Sequence, residues 1–506
     1  MTLIAGINPR NGTALAPVAD VTSGRQVDIL ASSARAAAPY LQNLGRIGRA
    51  DLLESLADAV ESNRLALVST AAEETGFNDA KLDGELTRTV YQFRFFAEVL
   101  REGSYIEATL DSAGPTPMGP RPDLRRMLVA TGPVAVFGAS NFPFAFSVLG
   151  GDTASAIAAG SPVVVKAHGS HPATSKLSYE ILDTAAQASG APDGTFGIVF
   201  GTQGGADLVA HPAITAVGFT GSQTGGQALL DIINARAHPI PFYGELSSIN
   251  PVIVTEAAAS ERGTEIGAAL IASITIGAGQ LCTKPGLVLV PTGVHGDVLV
   301  QSARSAVTAA PAQVLLNQRI FASYNDAVDV LGPERRVTKS SYGASAGAGY
   351  AVSPSLFETT INEFAPGLVS EIFGPVTVIV RYDPNTVVSA VARALDAVPS
   401  SLTATLHIES DEEDLARELV DVVRPHAGRI IFNAFPTGVA VSWAQTHGGP
   451  WPSTNSLHTS VGATAIRRFL RPVTFQDAPQ SVLPTELRDA YSVIPRRIDG
   501  VMQPAR

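Results

Sequence analysis

Three residues of this 506-residue chain have the side-chain chemistry and the local setting for covalent catalysis. The first is its single cysteine, Cys282, in the run GAGQLCTKPG. A lone cysteine is commonly a small buried hydrophobe. Here glycines at 277, 279 and 286, Pro285 and the polar Gln280, Thr283 and Lys284 make an unusual core environment. Both readings, inert core residue and nucleophile, stand on the residues alone. A free thiol with a pKa of about 8.5 is mostly neutral at pH 7, so a nucleophilic role requires a nearby base or positive charge. The second is Glu245 in FYGELSSINP, at a strand end between apolar neighbours. Partial desolvation there is expected to raise its pKa, as suits a general base. A capping or ion-paired glutamate is the alternative. The third is Asn141 in GASNFPF; an amide N–H is a standard donor to a developing oxyanion.

The elements that must position these residues follow from the apolar pattern. From about residue 26 to 100, apolar residues recur at three and four, predicting amphipathic helices. Residues 103–131 hold a Pro/Gly-rich centre between two strand-like runs, which predicts a protruding hairpin or an excursion between elements. From 132 onward short apolar runs (PVAVFG, PVVVKA, FGIVF, ITAVGF) alternate with Ala-rich helical segments, the pattern of a parallel sheet. A second alternation begins near residue 251, with the change-over at 244–250. The expected fold is therefore α/β, with two doubly wound parallel-sheet domains, one Rossmann-like, and a small hairpin. The expected boundaries are 1–102, 103–131, 132–248, 249–440 and 441–506. Asn141 would lie just past the C-terminal end of a strand, the edge where open α/β sheets bind ligands. The turn after AVGFT, with Gly221, Ser222 and Gly226, opens a helix that could hold a phosphate on its first N–H groups. A plain helix cap reads equally well, and Gly201–Gly205 is a rival turn.

Composition removes several classes of function. One cysteine leaves no intramolecular disulfide, cysteine-cluster zinc site or CxxC pair. A net charge of −11 opposes nucleic acid or an anionic membrane as partner. The uncharged stretch 127–151 is broken by prolines and glycines and is too interrupted for a spanning helix. The N-terminus lacks a basic start followed by an apolar block, so a cytoplasmic protein is expected. Gly343–Gly347 matches G-x-S-x-G without the flanking strand and helix that a nucleophile elbow needs. His168 and His171 have no carboxylate beside them, and no metal site is expected.

NFP after a strand, VVVKAH, GFTGS opening a helix, GEL followed by a cysteine loop, and EIFGP at 371–375 together resemble the NAD(P)-dependent aldehyde dehydrogenase superfamily. The resemblance runs from about residue 20 to 475. GGDTASAIAAG, KAHGSHPATS, GQLCTKPG and the THGGP-containing tail are most similar to the branch of 2-oxoglutarate semialdehyde (2,5-dioxopentanoate) dehydrogenases and luminous-bacterium fatty aldehyde dehydrogenases. The resemblance implies oxidation of an aldehyde to a carboxylic acid through a thiohemiacetal and a thioester on Cys282. It makes Glu245 the water-activating base, and Asn141 with the Cys282 N–H the oxyanion hole. It also implies that Lys166 binds the adenosine ribose, Ser222 the pyrophosphate and Glu371 the nicotinamide ribose, with Phe373 beside the cofactor. Phe142, Phe146, Leu149, Leu281 and His447 would shape the substrate pocket. A homodimer or dimer of dimers, built through the 103–131 hairpin and the tail after Arg471, is implied as well.

Some positions depart from the family pattern. The common E-L-G-G-K-x-P reads Glu245-Leu-Ser-Ser-Ile-Asn-Pro, a less permissive backbone. Gly169 stands where NAD-preferring members carry a glutamate, and Thr202 where NADP users can offer an arginine. NADP or NAD is expected, leaning to NADP. The expected substrate is the oxo-acid semialdehyde, with an aliphatic aldehyde as the alternative and a CoA-acylating or non-catalytic relative behind it. An oxo-acid needs a cationic anchor; Arg121, Arg125, Arg126 and Lys284 are the cations considered, and sequence places none of them.

Overall fold

The computed structural model describes residues 3–345 and 347–506. Met1 and Thr2 of the N-terminal run, and Ala346 inside the Gly343–Gly347 match, lie outside the described residues. Val-rich segments buried on both faces form a five-stranded sheet. Its strands, edge to edge, are Phe242–Glu245, Ala216–Thr220, Val134–Phe137, Val163–Lys166 and Phe196–Val199. All four pairings are parallel. The order reverses at Val134–Phe137, so a crevice opens beyond the C-terminal ends of this strand and its neighbour Ala216–Thr220. Asn141 follows the first of these ends and Ser222 the second.

A seven-stranded sheet runs Lys339–Tyr342, Ser355–Thr360, Val376–Tyr382, Leu287–Pro291, Pro251–Val254, Ser401–His407, Ala427–Phe432. Only the Lys339–Tyr342 edge is antiparallel. Strands covered on both faces need few charges, which accounts for the chain's 16% charged share. Glu245 ends the last strand of the first sheet, and Pro251 begins the first strand formed in the second.

The 103–131 segment is not a free hairpin. Thr109–Asp111 and Leu124–Ala130 pair antiparallel, and the tail strands Leu470–Gln476 and Arg496–Ile498 flank them. A small ladder, Gly114–Thr116 with Gly119–Arg121, forms its tip. The N-terminal region contains four helices, preceded by an antiparallel pair, Leu3–Asn8 with Thr13–Asp20. The helix Asp79–Glu102 matters most for the site. Asn78 caps its start by accepting from the Lys81 N–H, and Gly103 at φ 82° ends it. Phe93, Phe95, Phe96 and Val99 bury its apolar face. The uncharged stretch 127–151 is divided between two strands and the turn before the helix Gly151–Ala159. Among the described residues no helix is long and apolar enough to cross a membrane.

Candidate active site

Cys282 lies in the turn between the helix Glu256–Thr275 and the strand Leu287–Pro291. Three consecutive residues, Gly277, Ala278 and Gly279, have φ near +60° and reverse the chain. A Cβ on Gly279 would collide with the backbone of Gly374, so glycine there lets the cysteine turn lie against the EIFGP loop. Beneath the turn sits Asn250, fully buried and at φ 58°. Its Nδ2 donates to the carbonyls of Cys282 (2.8 Å) and Lys284 (3.0 Å). Its Oδ1 accepts from Ser248 Oγ and Thr403 Oγ1. Ser248 also accepts from the Leu402 N–H. The serine that replaces a family glycine thus ties this connecting segment to the seven-stranded sheet at Leu402, and the left-handed residue of the segment is Asn250.

Glu245 is buried at 4% exposure, with both carboxylate oxygens engaged. Oε1 lies 3.1 Å from His447 Nε2, and Oε2 accepts from Ser460 Oγ at 3.0 Å. His447 is held through its own backbone: its N–H donates to Thr459 Oγ1, and its carbonyl accepts from the Ser460 N–H. Its Nε2 is also 3.5 Å from Cys282 Sγ. Thiol, imidazole and carboxylate therefore form one cluster, with ligand atoms within 4.8 Å of one another. Burial would raise the Glu245 carboxyl, but His447, Cys282 and Ser460 outweigh it, so its pKa lies below the usual carboxylate value. This corrects the raised value expected from the sequence: burial came with compensating partners. The same burial, with the Glu245 charge added, pushes the Cys282 thiol well above its ordinary range. The resting thiol is neutral.

Asn141 is buried, and Nδ2 gives one N–H to the Gln280 carbonyl at 2.7 Å. A primary amide has two such donors, so the second can serve a substrate oxygen. The loop carrying Asn141 is fixed from outside: Glu85, on the helix Asp79–Glu102, accepts from the Phe144 and Ala145 N–H groups at 2.8 and 3.0 Å. Lys81 pairs with Glu85 and lies over the rings of Phe77 and Phe142.

A cavity of about 540 Å³ joins these parts. Asn141, Phe142, Phe146, Gly221, Ser222, Glu245, Cys282, Glu371 and Phe373 line it, as do His168 and Arg319. Burial pushes the Glu371 carboxyl up to about 7. Lys166, which ends its strand and is not among the lining residues, has its pKa lowered by burial and by Arg319. Ser222 Oγ accepts from the Gly225 N–H, capping the helix Gln223–Asn234, and Gly226 makes room for Leu246. Gly169 is exposed, with open space where a side chain would be. Leu149 and Leu281 are buried and are not among the lining residues.

The cations considered from sequence are placed elsewhere. Arg121, Arg125 and Arg126 lie on or beside the mixed third sheet, paired with Asp499, with Asp123 and Asp489, and with Glu107. Lys284 is buried, its Nζ donating to the Val376 carbonyl. Asn250, Ser248, Ser460 and Glu85 escaped sequence reasoning because their partners are distant in the chain. Only the polar residues of SSIN and the TSVG tail hinted at them.

A lone thiol beside a carboxylate and an amide donor, in the crevice of a doubly wound sheet, is the grouping expected of an α/β enzyme with a nucleophilic cysteine. The family model of the aldehyde dehydrogenase family matches residues 2–474. The chain is 44% identical to alpha-ketoglutaric semialdehyde dehydrogenase 2 of Azospirillum brasilense, over 98% of this chain and 96% of that protein. It is 42% identical to alpha-ketoglutaric semialdehyde dehydrogenase of Acinetobacter baylyi, over 94% and 91%. Its fold resembles lactaldehyde dehydrogenase from Escherichia coli, with a TM-score of 0.80 at 21% identity, covering 94% of this chain and 96% of that one. The chain belongs to the aldehyde dehydrogenase family and is an aldehyde-oxidising, NAD(P)-dependent oxidoreductase.

Proposed function

We propose that the protein oxidises 2-oxoglutarate semialdehyde to 2-oxoglutarate, with Cys282 as nucleophile, Asn141 as oxyanion donor and Glu245 as the base that activates water. The observation that carries the chemistry is the cluster of Cys282, His447 and Glu245 at 3.5 and 3.1 Å, opening on the cavity that also holds Asn141. The two relatives above 40% identity, both alpha-ketoglutaric semialdehyde dehydrogenases, support the substrate.

Cys282 attacks the aldehyde carbon after losing its proton to the cluster, and the new oxyanion takes the free N–H of Asn141. A bound dinucleotide supplies the hydride acceptor. Glu245, kept ionised by His447 and Ser460, then deprotonates the water that cleaves the thioester. Lys166, Ser222, Glu371 and Phe373 would hold the cofactor, the first on the ribose hydroxyls and Ser222 on the pyrophosphate. The open Gly169 position leaves no carboxylate against a 2′-phosphate, and Arg319, whose charge acts on Lys166, lines the cavity. These features favour NADP. The third sheet and its tail, with exposed Met118, Val501 and Met502, are proposed as the surface for a homodimer or dimer of dimers.

Kinetics with the semialdehyde and with a medium-chain aldehyde, each with NAD and NADP, test the assignment. Cys282→Ala should abolish oxidation, and Glu245→Gln should give a burst of reduced cofactor followed by slow acyl release. Turnover by Cys282→Ala refutes the chemistry, and preference for the medium-chain aldehyde refutes the substrate.

A further inference from the structure

The buried arginines of this protein are, with few exceptions, saturated. Arg49 donates to the Leu41 and Ala158 carbonyls and to the Tyr105 hydroxyl, and Arg468 pairs with Asp152. Arg88 differs. Among the described residues its one hydrogen bond is long, 3.4 Å from Nη1 to Gln92 Oε1. Its Nη2 is buried and, among the described residues, has no partner. Among the described residues no carboxylate lies within ion-pair distance; Glu85 is committed to two loop N–H groups and Lys81. Arg88 as a whole is half-buried, but a buried guanidinium nitrogen without a partner is costly. The charges of Glu85, Cys282 and Glu245 act on Arg88, which stands behind the cavity wall rather than among its lining residues. Its guanidinium lies 5.1 Å from the centre of the Phe146 ring, and Phe146 lines the cavity that holds Cys282.

We propose that Arg88 is the specificity-determining anchor for the substrate carboxylate, holding the 1-carboxylate and 2-oxo group of the semialdehyde while its aldehyde carbon meets Cys282. The inference rests on the substrate reading above. A planar guanidinium with free N–H donors matches two adjacent acceptor oxygens, and the Phe146 face below it suits the intervening methylenes. Arg429 is the competing cation, since its Nε is also buried without a partner and its charge acts on Cys282. Its two terminal nitrogens, however, already donate to the carbonyls of Gly438 and Pro436, so it serves chiefly to hold that loop.

The test compares 2-oxoglutarate semialdehyde with pentanal, an uncharged aldehyde of equal length, in wild type, Arg88→Met, Arg88→Lys and Arg429→Met. A lost charge-assisted contact should lower kcat/KM for the semialdehyde about 10- to 100-fold in Arg88→Met, mainly through KM. Pentanal should be oxidised as by wild type. Arg88→Lys, which keeps the charge but not the fork, should lose less on the semialdehyde alone, and it carries the test if Arg88→Met fails to fold. Equal loss on both substrates, no loss on either, or loss confined to Arg429→Met overturns the assignment. If wild type shows no preference for the semialdehyde over pentanal, it is the substrate reading that fails.

Discussion

Removing the His447 imidazole isolates what keeps the buried Glu245 ionised. Oε1 of Glu245 has His447 Nε2 at 3.1 Å, and Oε2 has only the neutral Ser460 hydroxyl at 3.0 Å. A hydrogen bond to a charged group is worth about 1.5–3 kcal/mol, and a pKa change of one corresponds to about 1.36 kcal/mol. In His447→Ala the acid limb of deacylation should therefore move up by about one to two pH units, because the base works only when ionised and burial is then less opposed. Quenched-flow release of the acyl group from preformed acyl-enzyme, followed from acid to mildly alkaline pH, reads the limb directly. Ser460→Ala should move it the same way by less. Stability follows the same sign. A carboxylate whose pKa is depressed by folding stabilises the protein above the ordinary carboxylate range and loses that contribution as pH falls through its folded value. His447→Ala should flatten that dependence. An unmoved limb with a lower plateau would instead make His447 the base itself and would falsify the reasoning.

Three other outcomes can be checked separately. Asn141→Ala should slow acylation by about 10²- to 10³-fold, the usual cost of one oxyanion donor, measured as single-turnover formation of reduced cofactor. Asn250→Ala orphans two buried carbonyls at about 1–3 kcal/mol each, so equilibrium denaturation should show about 2–6 kcal/mol lost. Glu371→Gln should stabilise the enzyme at neutral and alkaline pH but not at acid pH. Folding raises this carboxyl to about 7, so its cost grows as pH climbs from the ordinary carboxylate range to that value. A thermal-shift series across pH reads the difference, which should be flat above about 7.

How much of this was legible in the sequence depended on how local each cause was. The strands VAVF and VVVK announce themselves because burial on both faces demands unbroken apolar runs. Cys282, Glu245 and Asn141 stood out because each follows or ends such a segment in a Gly- or Pro-marked turn. The strand Phe242–Glu245 was legible only at its end, where Glu245 meets the turn: FYGE is four residues, two of them not aliphatic or aromatic. The third sheet was hidden because its ladders join residues 109–130 to residues 470–503, and three-residue strands carry no periodicity. Arg88 sat among helical cations that ordinarily face water, and its neighbour Phe146 is brought in from another element. The direction of the Glu245 pKa could not be read locally either, because His447 and Ser460 reach it across two hundred residues of chain.

The single thiol also determines how this enzyme meets oxidants. Peroxide attacks the thiolate, and at rest Cys282 is held neutral, so the unliganded protein should be oxidised slowly. Once a sulfenic acid forms, however, the chain has no second cysteine to resolve it as an internal disulfide. Rescue then depends on a small external thiol entering the cavity before the sulfur goes on to the irreversible sulfinic state.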